Sequence, residues 1–576
     1  MIYDVCLQKG EATRPERRRL HCTYPPQKLA PMAMGSLQIS LKHNYHTIFA
    51  ESLPPPLMNI TKPTTAKPSN NSFFPLNPHY SSLKCRVSLP AAAINAPPQR
   101  ETGQSSNKND EEQEEDEELC VEEDGRNLHE IWAEIQGSKD WEGLLNPMNS
   151  HLRREIIRYG EFAQACYDSF DFDPHSKYCG TCKYDGAQFF EKLGMADRGY
   201  RISRYLYATS NINLPNFFQH SSVNRIWSQH ANWMGYVAVA TDEAEIRRLG
   251  RRDIVIAWRG TVTYLEWIHD LKNILHPAHF RDDPDIKIES GFFDLYTNSK
   301  KDTDCNFCSY SAREQLLAEV NRLIERYKGE NLSITVTGHS LGAALALLSA
   351  YDIAEMKVNV VQEGEGESSS TSAATKIPVS VFSFAGPRVG NLRFKERCDE
   401  LGIKVLRIVN VRDKVPTVPG IIANEKFQYQ KQLETTLKNF PWSYAHVGVE
   451  LALDHSYSPF LKTGTDLGCA HNLEGHLHLV DGYHGDGRRF RSATGRDIAL
   501  VNKDSNFLKR EHGVPPRWRQ DENKGMVRTS DGRWVVPERS RIEAHPPDTG
   551  HHFRKVLRLA RARLELFEKR VQAVKQ

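Results

Sequence analysis

A chain of 576 residues is too long for one compact core without appendages, and its 75 Lys and Arg against 73 Asp and Glu leave almost no net charge. Bulk electrostatics therefore name no nucleic-acid partner. No run of about 18 apolar residues occurs, so no transmembrane helix is expected, and eleven cysteines are too few for a disulfide scaffold and point to a reducing compartment.

Residues 1–100 read as a disordered leader. Between Met32 and Arg100 the only acidic residue is Glu51, while Ser, Thr, Asn and Pro abound. Acid-poor, hydroxyl-rich and weakly basic is the composition of an organelle transit peptide, with Met32 and Met34 as alternative starts. Residues 101–126 read as an acidic linker, because the like charges of Asp110 to Asp124 repel and keep the segment extended. A folded domain is expected over 127–540.

Within it, Gly235–Ala240, Ile254–Trp258, Leu332–Thr337, Val379–Phe384 and Val405–Val411 read as strands, several of them near-continuously apolar as buried parallel strands are. Helices are predicted over Ala312–Tyr327, with Leu316, Leu317, Val320, Leu323 and Ile324 on one face, over Leu341–Glu355, and over about Leu392–Glu400. The alternation predicts an α/β fold. Residues 362–376 are low in complexity and read as a surface insertion. No internal repeat is present.

Gly338-His339-Ser340-Leu341-Gly342 falls between the third of these strands, the β-branched alternating run Leu332–Thr337, and a run of helix formers. Strand, sharp turn, helix is the geometry that lifts a serine hydroxyl above a sheet edge. Gly338 and Gly342 let strand and helix approach at that turn. A serine hydroxyl is a weak nucleophile at neutral pH and needs a base, which in turn needs an orienting carboxylate. Asp413 follows a buried strand at its carboxyl end, where open α/β sheets build their sites. The base is not decided by composition: His446, His455, His471, His476, His478 and His484 all follow Ser340, with His446 reading as a strand-end structural residue, and His471, His476 and His478 remain equivalent. An oxyanion formed on attack needs preorganised donors, for which the backbone N–H of Leu341 and the strand-ending turn at Arg259-Gly260-Thr261 are the candidates.

Taken in order, the Arg259-Gly260-Thr261 turn, the Ser340 elbow, Phe384-Ala385-Gly386-Pro387-Arg388-Val389-Gly390 and Asn410-Val411-Arg412-Asp413 resemble the class 3 lipases. Trp141 to Pro147, Tyr159 to Ala165 and Arg496 to Lys503 further resemble the plant class I, plastid-targeted phospholipase A1 group. The resemblance covers about residues 127–537. It implies an α/β-hydrolase fold with a mostly parallel central sheet, flanking helices and a lid, and release of the sn-1 acyl chain from glycerolipids such as phosphatidylcholine, galactolipids and triacylglycerol. It implies a plastid location, Ser340 as nucleophile, Asp413 as orienter and, as the first histidine of His471-Asn472-Leu473-Glu474-Gly475-His476-Leu477-His478, His471 as base. Asn472 and His476 depart from the family's usual Asp and Tyr. Tyr264, Leu265, Trp267 and Ile268 fall where related lipases carry the lid.

Two signals lie outside this frame. Cys179-Gly180-Thr181-Cys182 and Cys305-Asn306-Phe307-Cys308 have spacing suited to zinc or to a redox dithiol, but structural free thiols are the expected reading. Residues 541–576 carry apolar residues at helical spacing and eight Lys or Arg against two acids over 551–576, which predicts a basic amphipathic helix and peripheral association with an anionic membrane. No metal or organic cofactor is expected for the chemistry, and protein partners are not specified. The rival reading is a non-catalytic lipase-like scaffold, since hydrolase folds also serve binding roles.

Overall fold

Seven strands form one sheet in the order β1-β2-β3-β4-β5-β6-β7: β1 Tyr200–Thr209, β2 Ala231–Ala240, β3 Arg252–Trp258, β4 Leu332–His339, β5 Val379–Phe384, β6 Lys404–Asn410 and β7 Val449–Leu453. The first two pairings are antiparallel, and the four from β3 to β7 are parallel. The result is an α/β fold with a mostly parallel central sheet, the architecture that the α/β-hydrolase resemblance implied. This computed structural model describes residues 125–173, 176, 178–209, 231–261, 275–278, 283–299, 309–362, 374–419, 443–464, 467–539, 554 and 558.

Helices cover both faces. On one side lie Ser290–Thr297 (α3), Ala312–Arg326 (α4), Leu341–Glu355 (α5) and Leu392–Glu400 (α6); on the other lie Leu128–Ile135 (α1), Ser150–Ser169 (α2) and Leu473–Gly482 (α7). Local chemistry sets their ends. Asn127 caps α1 with Glu130 in a capping box, Asn149 accepts from the N–H groups of His151 and Leu152 at α2, and Ser311 with Glu314 boxes α4. α5 is buried along all fifteen residues, which explains why its sequence is apolar all round rather than striped.

The sheet's alternation sorts β4 cleanly. Leu332, Ile334 and Val336 enter the core beneath α4 and α5, whereas Ser333, Thr335 and Thr337 face α2. Thr337 donates to Tyr159 O at 3.0 Å, so a polar row is buried at no hydrogen-bonding loss.

Strand bounds differ from the sequence reading in the direction that packing dictates. β2 and β3 begin earlier than predicted, because their partners extend the ladders to Ala231 and Arg252, where the local sequence turns polar. β6 ends at Asn410; Val411 has left the strand and is 47% exposed. Val360–Gln362 pairs antiparallel with Ala374–Lys376, so a two-stranded ladder brackets the low-complexity segment. The leader, the acidic linker up to Asp124, residues 363–373, the lid residues Tyr264, Leu265, Trp267 and Ile268, the pair Cys305 and Cys308, and all of the tail but Arg554 and Arg558 lie outside the described residues.

Candidate active site

The turn between β4 and α5 is built on two glycines. A Cβ on Gly338 would come within 2.3 Å of the Gly342 backbone, and a Cβ on Gly342 within 2.3 Å of Trp258 O. Strand, helix and the end of β3 therefore meet at main-chain contact. Ser340, between them, sits at φ 60° and ψ −127°, a conformation that costs a non-glycine residue of order 1–3 kcal/mol. Its N–H donates to Phe384 O at 3.0 Å, which ties the elbow to β5. Its Oγ is buried and has no hydrogen-bond partner among the described residues.

Asp413 lies just past the carboxyl end of β6 and is 3% exposed. One oxygen accepts the Val415 N–H at 2.9 Å; the other lies 2.6 Å from His471 Nδ1. A carboxylate can only accept here, so Nδ1 carries the proton and the Nε2 lone pair faces away. His471 precedes α7, and its carbonyl is held in turn by His339 Nε2 at 2.7 Å. The rings of His339 and His471 are 4.5 Å apart.

The other histidines are occupied. His476 accepts the Asn410 N–H at Nε2 (3.2 Å) and donates from Nδ1 to Asn472 O (2.8 Å). His478 Nε2 meets Ser458 Oγ at 2.8 Å. His446 donates to Pro416 O, His455 contacts the Asn410 side chain, and His484 lies between Arg491 O and Arg153. Burial pushes His476 below the ordinary imidazole range and His478 down to about 4, so both are neutral structural groups. Of the six candidates, only His471 is hydrogen-bonded to Asp413.

Two residues escaped the sequence reading. His339, the variable position inside the elbow motif, donates from Nε2 to His471 O and accepts the Tyr167 hydroxyl at Nδ1, 2.8 Å away. Burial and the neighbouring imidazoles hold it well below the usual range and hence neutral, as this pair of bonds requires. Asn410 places its side-chain N–H on Ala470 O at 2.9 Å and so fixes the residue before His471. Its signal was present as the polar end of an apolar strand.

The turn after β3 is rigid. Buried Arg259 stacks 3.8 Å above the Phe170 ring and donates to Trp233 O and to Gly260 O (2.8 Å). Burial lowers this guanidinium to about 10. Because C=O and N–H point oppositely across a trans peptide, holding Gly260 O also aims the Thr261 N–H. A Cβ at Gly260 would lie 2.0 Å from Tyr167 Oη, so glycine is required there. Thr261 Oγ1 is buried with no partner among the described residues. Leu341 opens α5, where the first-turn N–H groups fall outside the helix ladder.

Cys179 and Cys182 are buried free thiols, with Cys182 donating to Tyr205 Oη, and burial pushes Cys179 up to about 11. Neither is poised as a thiolate. Among the described residues no His, Cys, Asp and Glu cluster suits a metal, and no helix is long and apolar enough to cross a membrane.

A sequence model of the class 3 lipases matches residues 255–423. Phospholipase A1-Igamma3, chloroplastic, from Arabidopsis thaliana is 68% identical over 441 residues, covering 75% of this chain and 81% of that protein. Galactolipase DONGLE, chloroplastic, from the same organism is 45% identical over 361 residues, covering 62% and 70%. Lipase II from Rhizopus niveus aligns at TM-score 0.31 and 21% identity, over 53% of this chain and 82% of that one.

Proposed function

This chain belongs to the class 3 lipases, in the plant class I, plastid-targeted phospholipase A1 group, and on that footing we propose a serine acyl-hydrolase that releases the sn-1 fatty acid from membrane glycerolipids. The observation that carries the reading is the 2.6 Å His471–Asp413 pair, joined through the His471 carbonyl to His339, the neighbour of the buried Ser340 at its strained elbow. His471 Nε2 takes the Ser340 proton as Oγ attacks the sn-1 ester carbonyl. Asp413 holds the imidazole and stabilises its cation. The N–H groups of Leu341 and Thr261 receive the oxyanion, and His471 then protonates the leaving lysolipid oxygen. Water, activated by the same base, resolves the acyl-enzyme. No step needs a metal or organic cofactor.

Phosphatidylcholine, galactolipids and triacylglycerol are the proposed substrates, and relatives named phospholipase A1 and galactolipase support that range. The acid-poor leader and relatives named chloroplastic support plastid residence. Tyr264, Leu265, Trp267 and Ile268 serve as a lid in this reading, and the basic tail supports peripheral attachment to plastid membranes. The test uses the full chain and its Ser340→Ala variant on mixed micelles of phosphatidylcholine and monogalactosyldiacylglycerol with distinct sn-1 and sn-2 chains. Release of the sn-1 chain by the parent alone supports the reading and ranks the head groups. No release by a folded parent returns the chain to the scaffold reading.

A further inference from the structure

The last described stretch, 517–539, departs from the usual partition of apolar residues. Val527–Arg528 (β8) and Trp534–Val535 (β9) pair as a short antiparallel hairpin. Its turn follows from Asp531-Gly532: Gly532 N–H donates to Thr529 O, Thr529 N–H to Arg533 O, and Gly532 takes φ 86°. Two residue pairs make a marginal ladder. Nevertheless Trp518, Met526, Val527, Trp534, Val535 and Val536 are all exposed, Trp534 to 51% and Val527 to 47%. Six of the ten large hydrophobics exposed among the described residues fall in the nineteen positions 518–536. Val527 and Val535 share one face of the ladder and Arg528 and Trp534 the other, so apolar side chains stand in solvent on both faces of the hairpin, and such exposed apolar surface marks an interaction site.

Anchors fix where the patch faces. Lys183 binds Asp521 at 2.7 Å, Tyr178 donates to Glu538 at 2.8 Å, and Arg539 meets Asp171 at 2.8 Å. All three hold the hairpin to the segment that follows α2. That segment begins at Phe170, the ring under Arg259 of the proposed oxyanion turn, and α2 itself ends near Tyr167, which bonds His339 beside Ser340. The segment that anchors the hairpin thus lies at the carboxyl edge of the sheet, the edge at which Ser340 also stands. The four other exposed hydrophobics, Phe172, Val411, Tyr457 and Leu467, follow α2, β6 and β7 or precede His471, and so border the same edge.

The charges are complementary to a lipid surface. Arg517, Lys524 and Arg528 are exposed and form no ion pair among the described residues. Tryptophan with flanking cations is the composition that sits at a headgroup boundary, with the ring amid acyl chains and the guanidinium on phosphate or sulfonate. We propose that the hairpin Met526–Val536 docks the protein on an anionic glycerolipid bilayer and turns the Ser340 edge toward it. This rests on the acyl-hydrolase reading for its biological purpose and on the exposed patch for its physics.

The test compares the full chain with Trp534→Ser/Val535→Ser on vesicles of phosphatidylcholine and phosphatidylglycerol, alongside hydrolysis of a water-soluble butyrate ester. Losing two apolar side chains at the interface is expected to lower vesicle partitioning about tenfold or more while leaving ester turnover unchanged. A second measurement does not depend on the double variant: brominated lipid should quench a fluorescence component of the parent that Trp534→Phe lacks. Equal partitioning, absence of that component, or a homodimer that only the variant disperses would each overturn the proposal, the last by assigning the patch to a second copy. Vesicle binding without hydrolysis by the parent would sink the acyl-hydrolase reading and leave the docking surface standing.

Discussion

Two buried aspartates stand at opposite ends of the sheet, and their surroundings differ in kind. Asp253, at the amino end of β3, is fully buried and receives four hydroxyls: Ser333 and Thr335 at 2.7 Å each on one oxygen, Tyr159 at 2.9 Å and Tyr200 at 3.0 Å on the other. Asp413, at the carboxyl end of β6, receives one backbone N–H and one imidazole. The first carboxylate is saturated by neutral donors that hold their protons, so it ties β1, β3, β4 and α2 together. The second is bound to the one kind of donor whose opposite atom can take up a proton. Burial alone thus does not separate a structural carboxylate from one suited to catalysis; the chemistry of the donors does.

Removing the charge should divide the pair. Asp413→Asn is expected to reduce kcat on a soluble ester by about 10⁴-fold while the thermal midpoint barely moves, because the orienting acceptor is lost and not the packing. Asp253→Asn should do the reverse. Its amide would confront hydroxyl donors already committed, costing about 3 kcal/mol in a urea titration, with kcat per folded molecule within about twofold of the parent. An Asp253→Asn variant that is stable but inactive would break the distinction.

Glu289 supplies a third buried carboxylate, and a sharper contrast, since it accepts backbone N–H groups at the start of α3 and has no ion-pair partner among the described residues. Burial raises it from 4.5 to about 7. The folded state then holds a proton that the unfolded chain has lost between these values, so stability falls as pH rises through that window. Glu289→Gln should therefore be more stable than the parent by about 2 kcal/mol at pH 8, with near-parity at pH 4.5. A pH-independent difference would contradict it. The smallest effect belongs to Tyr167→Phe, which frees His339 Nδ1 and slackens the His471 carbonyl; kcat should fall roughly tenfold with little change in KM, as for a group acting through another.

The parts of this architecture that were legible in the sequence are those fixed by near neighbours. The alternating β-branched run before Ser340, its paired glycines and the apolar run after it locate β4, the elbow and α5 to within a residue or two. The position of Asp413 followed from a strand end. The histidine that pairs with Asp413 did not follow from composition, because His471, His476 and His478 share eight residues and differ only in what reaches them from Asp413, Asn410 and Ser458. Tyr167 and His339 are 172 positions apart, beyond any local pattern. The hairpin around Asp531-Gly532 carried a plain turn signal, yet its exposure depends on how its ends are anchored. The structure brings Asp413 and His471 into contact, and the lid residues lie outside the described residues.

Ser340 is only 1% exposed. A hydroxyl so enclosed meets no ester until neighbouring atoms move, so a fluorophosphonate labelling the protein in water times that uncovering as well as the bond it forms. At high reagent the labelling rate should level off at the frequency of opening, and a lipid surface should raise that plateau. The elbow serine is thereby its own reporter, a clock that runs before any substrate is turned over.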